Sequence, residues 1–238
     1  MFRYSDQSGS LVVNAKSAQF TQAAGPVYRF TLSGNVIVDD KGQGLKLASR
    51  EVTLDAVPSK ADSKKSEIRK AVATGGVQVT KTVTTPRGGQ VTKMSGSKGD
   101  YTSRAADGLV NLAGPVTLTN LNSGNQQSMV ATGSTLVVNV EPKKTGKRSG
   151  LRTATLSGSV KLTIVQAPVE GQKGSTMVAT GNRMILDNLS TPPTLTLSGN
   201  VNMDGRGPGS FGTFRGLNQA VLTLNDKGEW TSFRMEGS

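Results

Sequence analysis

The 238-residue chain contains no cysteine and no histidine. Disulfides, thiol nucleophiles, zinc sites of the usual kind and imidazole acid–base chemistry are therefore all excluded. Only 4% of residues are aromatic and 34% are hydrophobic, too few for one thick globular core. No stretch approaches the roughly 18 apolar residues of a membrane-spanning helix. The N-terminal "MFRYSDQSGSLVVNAK" lacks a charged segment followed by an apolar run, so no signal peptide is visible. What remains is rich in Val, Thr, Ser, Leu and Asn, with 29 Gly and 9 Pro. That residue set belongs to many short strands and turns, and predicts an all-β protein.

A small glycine motif recurs along the chain. It reads "LSGNV" at 32–36, "ATGGV" at 73–77, "LAGPV" at 112–116, "LSGSV" at 156–160 and "LSGNV" at 197–201, with a shortened "MEGS" at 235–238. The glycines are Gly34, Gly75, Gly114, Gly158, Gly199 and Gly237, at intervals of 41, 39, 44, 41 and 38 residues. Such a period marks repeated structural units. Each copy alternates apolar and polar residues, as in Phe30, Leu32, Gly34, Val36 and Val38, the pattern of a strand with one buried face. Counting by twos places every glycine on the apolar face, where it permits a bend, a bulge or a close backbone approach.

A second motif lies between the copies: "LKLASREVTLDA", "SMVATGSTLVVNV", "TMVATGNRMILDN" and "FRGLNQAVLTLND", with weaker relatives at 11–22 and 92–103. Its apolar register slips by one residue midway, which predicts a bulge or corner near 48–50, 132–134 and 180–182. Six repeats of two bent strands then give about twelve strands in one elongated antiparallel body spanning 1–238, with no internal domain boundary. A β-helix fits less well, since its coils are shorter, more uniform and paired in parallel.

The formal charge is +12, which attracts nucleic acid, anionic lipid head groups or acidic polysaccharide. Two long basic connections, 57–71 and 141–154, carry more than half of it, with Lys64, Lys65, Lys143, Lys144, Lys147 and Arg148 at their centres. Both leave the second motif, so they fall along one edge of the body. Neither is interleaved with aromatics for base stacking and no recognition helix is present, which argues against nucleic acid. The carboxylates are scattered, and "GRGPGSFG" lacks the Lys-Ser/Thr ending of a phosphate loop. No calcium-loop spacing occurs. The reading is a non-enzyme without cofactor or metal.

The unit "LSGNVIVDDKGQGLKLASREVTLD" resembles the OstA-like family, which includes the LptA and LptC kind of lipopolysaccharide-transport protein. Gly34, Asn35, Val36 and Val38 followed by Leu45, Leu47, Ala48, Val52, Leu54 and Asp55 carry the resemblance. It implies an open, taco-shaped β-jelly roll in the periplasm or cell envelope, its leader removed, that binds lipopolysaccharide or another anionic lipid along an apolar interior. It also implies head-to-tail pairing of edge strands with other jelly-roll modules. The interior positions are then Leu32, Val36, Val38, Val77, Val79, Leu112, Val116, Leu156, Val160, Leu197 and Val201, with the basic loops as a head-group rim. The competing expectation is a structural or adhesive β-scaffold whose apolar face is a dry core. The two basic loops and the length depart from a simple bridge module.

Overall fold

A computed structural model describes residues 1–5, 11–23, 25–41, 44–58, 66–85, 88–104, 108–122, 127–140, 151–168, 173–207, 212–225 and 230–237. Its strands are β1 (Phe2–Ser5), β2 (Leu11–Ala15), β3 (Ser17–Gln22), β4 (Tyr28–Asp40), β5 (Leu45–Pro58), β6 (Ser66–Thr85) and β7 (Gly88–Ser103). They continue with β8 (Gly108–Asn122), β9 (Gln127–Val140), β10 (Leu151–Gln166), β11 (Ser175–Asp187), β12 (Thr194–Arg206), β13 (Gly212–Leu224) and β14 (Trp230–Glu236). All belong to one antiparallel sheet in which sequence neighbours pair, and no helix occurs among the described residues. Among the described residues, then, no helix is long and apolar enough to cross a membrane. β2 and β3 are two parts of one strand, both paired to β4 and interrupted at Lys16. Eleven long bent strands result, with the short β1 at one end and the seven-residue β14 at the other, against an expected count of about twelve.

Every long strand turns one corner, and the register of pairing shows how. Ser33 pairs with Glu51 and Val36 with Ser49, so Gly34 and Asn35 together oppose the single residue Arg50. The same two-against-one arrangement sets Gly75 and Gly76 against Arg50 and Ser97. It recurs for Gly114–Pro115 and Gly158–Ser159 against Ser134, and for Gly158–Ser159 and Gly199–Asn200 against Asn182. A row of β-bulges thus crosses the sheet and folds it along a single line.

The shifts fall where the register slip predicts, but the extra residue sits in the glycine strand. In β5 the inward residues step from Leu47 and Ser49 to Val52 and Leu54, so Arg50 and Glu51 both face outward. In β4 the inward set is Leu32, Val36 and Val38, leaving 33–35 at the outside of the corner.

The glycines therefore do not face the apolar interior. A Cβ on Gly34 would lie 2.6 Å from Lys16 Cβ, and one on Gly158 would lie 2.8 Å from Ser134 Cβ; both partners are exposed. Counting by twos fails because the bulge adds a residue. Their φ values, +78° and +83°, lie in the left-handed region that a side chain strains.

The fold line divides the sheet into two wings. Wing I holds 28–33 of β4 and 51–58 of β5; wing II holds 36–40 and 45–49, and so on down the chain. The inner faces of both wings are apolar and join in one buried cluster, from Val13 and Leu32 to Leu222. At the C-terminal end the rings of Phe214 in wing II and Phe233 in wing I approach to 6.4 Å, which ties the wings together. Thirteen strand positions at about 4.8 Å each make the body roughly 58 Å long, against wings of only about 20 Å. The protein is an elongated, open, taco-shaped β-jelly roll.

The outer faces are polar. Arg29 donates from Nε and Nη2 to the two Asp55 carboxylate oxygens, at 2.7 and 2.8 Å, across the β4–β5 pair. These hydrogen bonds hold the Asp55 carboxyl below its ordinary value of 3.8, partly opposed by desolvation. Since the folded value is the lower one, the pair stabilises the fold above the ordinary carboxylate range, and the contribution fades as pH falls through the folded value. Asp55→Asn is expected to lower the thermal midpoint slightly at neutral pH and not at all in strong acid. An unchanged gap between variant and wild type in acid would refute this.

Candidate functional site

The eleven interior positions come together on the inner faces. Leu32, Val36, Val77, Leu112, Val116, Leu156, Val160, Leu197 and Val201 are at most 3% exposed. Val38 and Val79 are partly buried and pack against the same cluster. Beside the fold line in wing II, valines alternate with small residues across the sheet: Val36, Ser49, Val77, Gly96, Val116, Gly133, Val160, Gly181 and Val201. The small positions make room for the leucines of wing I. A Cβ on Gly133 would lie 2.9 Å from Leu156 Cγ. Ser49, a buried polar residue, donates its hydroxyl to the carbonyls of Glu51 and Thr74 and so keeps its place in this row.

The filling of this interior is uneven. Among the largest fully buried side chains, the leucines and methionines Leu112, Leu136, Leu156, Leu162, Met184, Leu195, Leu197, Met203 and Leu222 all lie from β8 onward, while β4 to β6 supply the smaller Val36, Val52 and Val77. The inner faces of β5 to β7 mix the small Ala56, Ala71, Ala73, Gly96 and Gly99 with Val52, Leu54, Val77, Val79 and Met94. The C-terminal half of the sheet therefore encloses a continuous core, with Phe214 and Phe233 in contact across its end.

The N-terminal end opens. Phe20 pairs with Phe30, which pairs with Leu54 of the core layer, so both rings stand on the inner face of wing I. They remain 59% and 37% exposed. Phe20 stacks on Tyr28 at 5.9 Å and meets Phe30 at 5.2 Å. Across from them β1 pairs Phe2 with Ala15 and Tyr4 with Val13, two buried residues, which puts both rings on the inner face of wing II. Tyr4 is 50% exposed.

Of these five aromatics the repeat placed Phe30 alone on the apolar face, and none was among the eleven interior positions. Five aromatic residues within the first thirty, in a chain with six Phe, three Tyr and one Trp, were the available signal. They fall on the weakest copy of the second motif and on its neighbours, where repeat matching has least purchase.

Lys64, Lys65, Lys143, Lys144, Lys147 and Arg148 lie outside the described residues. The strand ends that flank them, Pro58 and Ser66 for one connection and Val140 and Leu151 for the other, both stand on the free rim of wing I. Strand pairing also extends into both expected loops. Lys70 opposes Asp55 and Thr102, while Thr153 opposes Asn139, so 66–71 and 151–154 belong to β6 and β10. Pro58, at the end of β5, lies two residues beyond Ala56, the partner of Tyr28. The first basic connection thus leaves the sheet beside the aromatic end.

Among the described residues no three Asp or Glu side chains come close enough to hold a metal ion. Edge strand β3 is exposed along its whole length, and 212–217 of β13 has no further partner strand among the described residues. Comparison with known proteins gives no relative: no family model, no curated protein and no solved structure matches the chain.

Proposed function

We propose that the protein is a non-enzymatic module of the cell envelope, of the OstA-like kind, that takes the apolar part of lipopolysaccharide or another anionic lipid into the N-terminal end of its inner face. One observation carries this reading. Five aromatic rings gather at the N-terminal end of the inner face beside the buried core, and Phe20 at 59% and Tyr4 at 50% are the most exposed large apolar side chains among the described residues of the sheet. Burying an acyl chain against those rings contributes roughly 0.8 kcal/mol per methylene. Lys64 and Lys65, on the connection that leaves beside Tyr28, are placed in sequence to meet the anionic head group. The exposed edge of β3 offers backbone groups to another jelly-roll module. A periplasmic address follows from the same reading.

The expected lipid-binding stretch thereby contracts. Leu156, Val160, Leu197 and Val201, and equally Leu32 and Val36, act as core, and the binding surface lies at the aromatics together with the partly buried Val38. A second reading, a scaffold with a dry interior, draws on the full burial from β8 onward.

Native mass spectrometry after incubation with a lipid A analogue separates the two. The wild type is expected to carry lipid, and Phe20→Asp with Phe30→Asp to reduce binding at least about tenfold, since two large apolar contacts are lost. Both side chains are exposed, so the unfolding midpoint should move little. A wild type that binds no lipid, or a double variant that binds as well as wild type, decides for the scaffold.

A further inference from the structure

The outside of the fold line carries its own charge pattern. Lys16 and Arg50 stand at the corner, with their stems resting on the bare Cα atoms of Gly34 and Gly75. Further along, the corner positions become Ser97, Ser134 and Asn182, and the bases move one place aside, to Lys98, Lys161, Arg183 and Arg215. All six are exposed. Among the described residues, Lys16, Arg50, Lys98, Lys161 and Arg183 pair with no carboxylate. Arg215 donates to the carbonyls of Met203 and Phe214. The acids on this ridge are Glu51 and Glu236, and Glu236 is already paired with Arg234 at 3.2 Å.

From Lys16 in the first long strand to Arg215 in β13 the ridge crosses ten strand spacings, about 48 Å. Neighbouring bases are one to three strands apart, roughly 5–14 Å. They follow the convex edge, Lys98 and Arg183 on its wing I side and Lys161 on its wing II side. On either side the wings fall away, and the second rows out carry Asp39, Asp100 and Asp204 but also Lys46, Lys93 and Arg234, so their charges cancel. A broad anionic plane would gain nothing from rows whose charges cancel, whereas a narrow chain can follow the bases of the ridge alone. Among the described residues no aromatic ring stands on the ridge to stack a nucleobase.

We infer that the fold line is a binding track for a linear acidic polysaccharide, whose carboxylates recur along one flexible chain. The track is built by the same bulges that fold the sheet, because two or three consecutive residues face outward at every corner. It uses none of the interior, and its occupancy is independent of lipid at the N-terminal end.

The test is binding of polygalacturonate at low salt, followed by fluorescence anisotropy, with phosphatidylglycerol vesicles as the competing surface. Two variants lose equal charge: one changes Lys16, Arg50, Lys98, Lys161 and Arg183 to Gln, the other changes Arg3, Lys41, Arg69, Lys70 and Lys173 to Gln. Gln keeps the stem atoms that pack at the corner. The ridge variant is expected to weaken binding at least about tenfold and to flatten its salt dependence, as fewer counterions are released. The off-ridge variant should stay within about threefold. Equal losses in the two variants would reduce the effect to net charge and overturn the track. So would a wild type that fails to bind the polymer, or a ridge variant that loses vesicles while keeping polygalacturonate.

Discussion

Leu156→Ala is expected to lower the free energy of unfolding by about 3–5 kcal/mol. Leu156 is fully buried, pairs with Leu136 and Met184, and lies over Gly133. Its removal leaves a void bounded by a residue with no side chain to relax into it. Urea titration should show a lower midpoint with an unchanged slope. The companion variant Gly133→Ala sharpens the argument. Alone it forces a Cβ to 2.9 Å from Leu156 Cγ and destabilises; in the Leu156→Ala background it partly fills the void. The two changes should therefore be less harmful together than their sum. If instead Leu156→Ala cost under about 1 kcal/mol, the interior at β10 would be a ligand groove and the closed core a misreading. Val160→Asp belongs with this set, since at 1% exposure a carboxylate there has no water to meet. It reports on folding, and a test of lipid binding has to be placed at Phe20 and Phe30.

Much of this fold is written in local pattern. Six glycines at near-equal intervals, each in alternating strands, specify six pairs of antiparallel strands, and the register slips at 48–50, 132–134 and 180–182 specify where they bend. Two features were not legible, for physical reasons. The direction of each glycine depends on which strand holds the extra residue of the bulge, and parity counted along one strand cannot reveal that; pairing with the neighbour does. The weak copies at 11–22 and 92–103 have the same corner as the others: inward residues step from Ala15 to Ala18 and from Gly96 to Gly99. Lys16 and a run of Gly and Ser replace the apolar markers there, so the sequence pattern fades while the geometry persists. For the site, alternation identifies an inner face at Leu32, Val36, Val77 and Leu156 alike. Whether that face is covered depends on the wing opposite, and on side chains such as Met184 and Leu222 that lie far away in sequence.

The bulge glycines themselves make the last strong prediction. Gly158→Ala is expected to destabilise by about 2–3 kcal/mol, since the left-handed backbone at φ +83° costs a side chain roughly 1–2 kcal/mol and the new Cβ also meets Ser134. The two contributions are separable. Ser134→Gly removes the contact and leaves the backbone term, so the double variant should recover part of the loss but never all of it. Gly158→Val, β-branched, should be worse than Ala in either background. Gly237, in the shortened sixth copy, has nothing within 4 Å of its Cβ position and no positive φ. Gly237→Ala is accordingly expected to be silent in the same denaturation experiment. Equal tolerance of alanine at 158 and 237 would mean that the repeat glycines are not what folds the sheet. A loss at 158 alone ties the motif to the corner, and with it the wings that enclose the core and the basic ridge outside them.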